Sequence, residues 1–160
     1  MRSMVTLRNP EPADVPQILR FIRALGVYEH LESEVVATEA ALHATLFGER
    51  RYAEVVLADC DARAAGFALF FHNYSTFVAK PGIYLEDLFV DPAFRTRGVG
   101  KALLQHLARE VVARGCGRLE WSALKWNRLA IDFYLRLGAV AMDEWCIYRL
   151  SGAPLQQLAG

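Results

Sequence analysis

Apolar residues recur along this chain at two spacings, every second position in some stretches and every third or fourth in others. Residues 4–8 alternate apolar and polar and stop at Asn9-Pro10, which predicts a short opening strand and a turn. Asp14 is placed to cap a helix whose apolar positions Val15, Ile18, Leu19, Ile22 and Leu25 share one face, with Gly26 as its stop. Thr38 with Glu39 opens a second helical pattern carrying Leu42, Leu46 and Phe47 and closing at Gly48, while 28–36 is acidic and irregular. Two β-type runs, 52–58 and 65–74, flank a turn-like 59–63 and predict a hairpin. A third β run, 83–90, lies between Pro81-Gly82 and Asp91-Pro92. Leu103, Leu104, Leu107, Val111 and Val112 then mark the apolar face of a helix ended by Gly115. The pattern closes with a strand over 118–123, a helix over 127–137 ended by Gly138, and a last strand over 145–150. That order predicts a mixed α/β (α+β) sandwich around a central sheet.

At 160 residues, 54% hydrophobic and 22% charged, the chain can bury one core, so residues 1–160 are expected to form a single domain. Basic and acidic residues balance at 18 each, which leaves no net field to attract nucleic acid or an anionic membrane. No apolar run approaches the ~20 residues of a membrane helix. Met1-Arg2-Ser3-Met4 leads into a polar turn with no signal-peptide core, so a cytosolic protein is expected. Cys60, Cys116 and Cys146 are odd in number and share no metal-ligand spacing, which argues for reduced, buried thiols and no metal.

The stretch Arg95-Thr96-Arg97-Gly98-Val99-Gly100-Lys101 changes the picture, because it stands between a strand and a helix. A glycine turn there aims several backbone N–H groups at one anion, and the positive end of the helix dipole adds to the attraction. A dinucleotide fingerprint would need a small residue where Leu103 stands, and a Walker loop would need Ser or Thr where Ala102 stands. Both patterns fail, leaving amides and guanidinium groups suited to a diphosphate.

Arg95 to Gly100, following Leu88-Phe89-Val90-Asp91-Pro92, resembles the pyrophosphate-binding motif of the GCN5-related N-acetyltransferases, which use acetyl coenzyme A. Tyr84-Leu85-Glu86-Asp87-Leu88-Phe89-Val90, with Tyr28-Glu29 upstream and Trp126-Asn127 to Phe133-Tyr134 downstream, is similar to the diamine acetyltransferases acting on spermidine, spermine or thialysine. The resemblance covers residues 4–150. It implies a mostly antiparallel central sheet flanked by about four helices, with splayed strands that admit acetyl coenzyme A. It further implies that Arg95 to Lys101 hold the diphosphate, that backbone amides of Leu88, Phe89 and Val90 bond the pantetheine, and that Asn127 contacts the coenzyme. A homodimer is implied as well.

Acetyl transfer to an amine needs a neutral nucleophile, a stabilised oxyanion and a proton for the departing thiolate. Tyr134 fits the acid, since a phenol titrating near ~10 passes a proton downhill to a thiolate whose thiol titrates near ~8.5. Packing beside Phe133 is its alternative role. Glu86 and Asp87 are adjacent carboxylates in an apolar strand, and alternation sends one to each face without saying which meets the substrate. Glu86 is assigned as the water-mediated base and Asp87 as the amine's counter-charge, against structural salt bridges as the alternative. Tyr28 and Glu29 are assigned to acceptor binding, and Glu32 and Glu34 add negative charge nearby. Residues 75–80 lack the acidic residue and tryptophan that polyamine-modifying relatives carry there, which favours a smaller, lysine-like amine. Three other readings stay open: an acetyl-cysteine intermediate, a non-catalytic acyl-CoA-binding module, and a transferase acting on a protein amino terminus or an aminoglycoside.

Overall fold

A computed structural model describes residues 4–160; the reading of the leader at Met1 to Ser3 lies outside them. The chain forms two compact units, Met1–Ser122 and Ala123–Gly160. The first contains β1 (Val5–Arg8), α1 (Val15–Tyr28), α2 (Glu39–Leu42), β2 (Glu54–Cys60), β3 (Arg63–Ser75), β4 (Lys80–Val90), α3 (Val99–Ala113) and β5 (Leu119–Trp121). Its five strands lie in chain order in one open sheet. The first three pairings are antiparallel and β4 with β5 is parallel, giving the mixed, mostly antiparallel sheet expected.

Apolar spacing explains how the helices seat. α1 buries Val15, Ile18, Leu19, Phe21 and Leu25, and Phe21 stacks on Phe67 of β3 at 5.6 Å and tilts against Phe89 of β4 at 5.7 Å. α3 buries Val99, Leu103, Leu104 and Leu107. At Gly66, a side chain would bring its Cβ within 2.3 Å of the Phe89 carbonyl oxygen, so β3 and β4 approach there at a spacing only glycine permits.

Two irregularities mark β4. Only Ile83, Tyr84 and Leu85 pair with β5, so among the described residues β4 has no strand partner on that side from Glu86 to Val90. This is the splay that the resemblance implied. The second is a bulge: Leu69 faces Asp87 and Phe70 faces Leu85, which leaves Glu86 as an extra residue between them.

Several local expectations are corrected. Gly26 does not stop α1; it is buried inside the helix, where a Cβ would sit 2.7 Å from Val35 Cγ2, and the chain leaves the helix just before His30, at φ 59°. Asp14 donates no cap to α1 because its carboxylate receives Arg8 at 2.8 and 2.9 Å and the Glu11 amide at 2.8 Å. Thr38 does cap α2, accepting from the Ala41 amide, and the pattern runs on as a π-helical turn, His43–Phe47. Val112 is exposed rather than on the buried face of α3, and only Cys60 of the three free cysteines is buried: Cys116 is half-buried and Cys146 exposed.

The second unit holds α4 (Arg128–Arg136), capped by the Asn127 side chain accepting from the Ala130 amide, and α5 (Gly152–Ala159). The strand expected over 145–150 is absent: the segment is irregular, with Trp145, Ile147 and Tyr148 largely exposed. Its run of strand-favouring residues, Trp145, Ile147 and Tyr148 among them, fits a strand, but a ladder also needs a neighbouring backbone to supply hydrogen bonds.

Candidate active site

The turn after β4 is built as its sequence suggests. Asp91 opens it by accepting from the Ala93 amide at 2.8 Å, and a single turn, Pro92–Phe94, carries the chain to Arg95. Thr96 lies at φ 64° and Gly98, the residue before α3, at φ 85°. Nothing lies within 4 Å of where a Gly98 Cβ would be, so the left-handed backbone, not crowding, accounts for glycine there. The first intrahelical bond runs from the Ala102 amide to the Gly98 carbonyl at 2.9 Å. The amides of Val99, Gly100 and Lys101 therefore have no carbonyl of their own helix to meet, and they lie at the positive end of the helix dipole. That is a cradle for an anion.

The arginines flanking it differ. Arg95 is half-buried, its guanidinium carbon 4.9 Å from the centre of the Tyr28 ring and its Nε 3.4 Å from the Val90 carbonyl. Arg97 is exposed, 3.7 Å from Asp61 in an ion pair open to water. The end of α1 and the end of β4 are thereby joined through Tyr28 and Arg95.

Beside them lies a group of carboxylates. Burial pushes Asp87 up to about 6, with the neighbouring charges of Glu86 and Glu29 adding to the rise. Burial also raises Glu29. Among the described residues no ion pair includes Asp87, Glu86 or Glu29, so none of them compensates this negative charge by direct pairing. Glu86, the bulge residue, is exposed, while Asp87 is half-buried. Simple alternation therefore does not govern this pair, because the bulge interrupts the pleat between Leu85 and Asp87. Glu32 and Glu34 are exposed in a short turn, Glu32–Glu34, after α1.

The structure thus joins Tyr28 to Arg95, and Glu29 to Asp87, in one unit. Leu88, Phe89 and Val90 lie in the part of β4 that β5 leaves unpaired. Asn127 and Tyr134 belong to the other unit, where Asn127 caps α4 and the Tyr134 ring lies 5.8 Å from that of Phe133. Sequence reasoning missed Arg63, whose guanidinium carbon lies 5.0 Å from the Phe94 ring next to the turn. No local signal marks it, since the proximity arises from the register of β3 on β4.

Two of the three cysteines, Cys60 and Cys116, fit poorly with a covalent route. Cys60 is fully buried, and the Cys116 sulfur is 3.9 Å from His72 Nδ1. That nitrogen also lies 3.0 Å from the Gly82 carbonyl, while Arg114 reaches His72 Nε2 at 3.0 Å. Since guanidinium only donates, Nε2 accepts and Nδ1 carries the proton, leaving no lone pair to take one from the thiol. Among the described residues no group of three or more His, Cys, Asp or Glu could hold a metal ion.

Residues 18–139 match the model of the acetyltransferase (GNAT) family, across both units. The chain is 33% identical to L-ornithine N5-acetyltransferase of Arabidopsis thaliana, covering 98% of this chain and 89% of that protein. It is 34% identical to thialysine N-epsilon-acetyltransferase of Bos taurus, covering 99% of each. Among solved structures, an integron cassette protein from the mobile metagenome of V. cholerae superposes with a TM-score of 0.81 at 27% identity, covering 99% of this chain and 98% of that one.

Proposed function

The chain belongs to the acetyltransferase (GNAT) family and is an N-acetyltransferase, and from that premise we propose that it carries the acetyl group of acetyl coenzyme A to a primary amine of a small amino acid of the ornithine or thialysine kind. The observation that carries the choice of acceptor is Asp87, a half-buried carboxylate with two further carboxylates acting on it and no ion pair among the described residues. Such a group destabilises the empty protein and is relieved by a bound ammonium. The names of the relatives at 33% and 34% identity support the same class of acceptor.

The turn fits the donor. The amides of Val99, Gly100 and Lys101, the open space at Gly98 and the guanidinium group of Arg95 supply hydrogen bonds and positive charge for a diphosphate, and Arg97 binds the coenzyme beside them. Residues Leu88 to Val90 offer backbone groups to the pantetheine. Asp87 holds the acceptor ammonium with Glu29 and Tyr28, and Glu86 removes its proton through water. The neutral amine attacks the thioester carbonyl, and the bond from carbon to sulfur breaks. Tyr134 supplies the proton for the thiolate, and Asn127 contacts the coenzyme. One domain spanning 1–160, a homodimer and a cytosolic setting complete the proposal. Among the described residues no helix is long and apolar enough to cross a membrane.

A thiol-release assay with acetyl coenzyme A tests it against L-ornithine, thialysine, diamines, polyamines and aminoglycosides. Turnover highest with ornithine or thialysine is expected; turnover confined to aminoglycosides, or none, overturns the assignment.

A further inference from the structure

Phe94 is buried just before the phosphate turn, and two guanidinium groups converge on its ring: Arg63 at 5.0 Å from the centroid and Arg97 at 5.6 Å. Arg63 comes from a different part of the chain, at the start of β3, directly after a turn in which Asp61 and Ala62 both have positive φ. A backbone bond from the Asp91 amide to the Ala65 carbonyl at 2.9 Å pins that end of β3 to the start of the turn. The convergence is therefore set by the sheet. Arg97 pairs with Asp61 at 3.7 Å, both partners being exposed, and Asp61 also accepts from the Met4 amide at 3.0 Å. Among the described residues no ion pair includes Arg63.

Two guanidinium groups on one ring repel each other, and an exposed pair such as Arg97 with Asp61 is weak enough to exchange for a better anion. A dianionic phosphate monoester offers that anion, since each guanidinium can meet two of its oxygens. Coenzyme A carries one such group, on the 3′ position of its ribose, a short distance from its diphosphate. We propose that Arg63 and Arg97 form a cation pair that receives this 3′-phosphate and makes the enzyme distinguish coenzyme A from its 3′-dephospho form. The proposal rests on the reading of acetyl coenzyme A as donor.

Calorimetric titration of coenzyme A and 3′-dephospho-coenzyme A at low ionic strength tests it, with the wild type, Arg63→Gln and Arg63→Lys. The wild type should prefer coenzyme A by about tenfold, the size expected of one charge-assisted contact. Arg63→Gln should bring the two ligands close to parity by weakening coenzyme A alone, and Arg63→Lys should keep part of the preference. Equal affinities in the wild type, or an equal loss for both ligands in Arg63→Gln, overturns the inference while leaving the donor assignment intact. Failure of both ligands to bind the wild type overturns the two together.

Discussion

Two polar clusters in the first unit handle charge in opposite ways. In one, Arg114 meets Glu54 at 2.6 Å, Glu110 at 2.8 Å and His72 at 3.0 Å. Hydrogen bonding to Arg114 holds Glu54 below its ordinary range. In the other, Asp87, Glu86 and Glu29 crowd together, and Asp87 and Glu29 are raised. In the first cluster both carboxylates are paired with a guanidinium of the chain, and its arrangement is explained by the fold. The second has no ion-pair partner among the described residues, and a missing positive partner is what a cationic substrate supplies. Charge count alone would not separate them; the presence or absence of an internal partner does.

The largest effect that would break this contrast is at Asp87. Asp87→Asn should lower kcat/KM for the amine by about a hundredfold, as for loss of a partly desolvated charge partner, with the protein no less stable to heat. An unchanged kcat/KM would place these carboxylates outside the site. Tyr134→Phe should lower kcat by about a hundredfold with coenzyme affinity unchanged, measured by initial rates and calorimetry. Glu29→Gln, which removes a longer-range charge, should raise the acceptor KM by roughly fivefold. The smallest effect is Arg114→Met: activity within about twofold, and stability to denaturant reduced by about 1 kcal/mol, since this cluster is partly exposed.

Acid should reverse the two clusters. Asp87 has its folded value raised, so the folded state keeps a proton that the unfolded state loses, and stability falls as pH rises toward about 6. Glu54 has its folded value lowered, so its contribution is present above its ordinary range and lost as pH falls through its lowered value. Activity that needs ionised Asp87 should climb as pH rises through about 6, and Asp87→Asn should remove that limb from the profile of kcat/KM. A limb that persists in the variant assigns it to another group.

What the sequence made legible is local. Gly98 before α3, the Thr38 and Asn127 caps and the buried faces of α1 and α3 depend on residues within a few positions, and the periodicity of apolar positions carries them. The bulge at Glu86 was illegible because two-residue alternation assumes an unbroken pleat, and the pairing that breaks it lies on another strand. Arg63, Arg114 and His72 were missed for the same reason: each acquires its neighbours only when distant strands and helices meet. The segment 145–150 shows the reverse error, a run of aromatic and branched residues that favours a strand but has no ladder.

At Gly66 the obstacle to any side chain is a main-chain oxygen 2.3 Å from where a Cβ would sit, and it cannot swing aside as a side chain could. Drift at this codon should be among the least tolerated in the chain, because even alanine would force two strands apart next to the bend that carries Asp91. In a library of random substitutions, position 66 should be depleted of every replacement, whereas exposed Val112 should accept most polar ones.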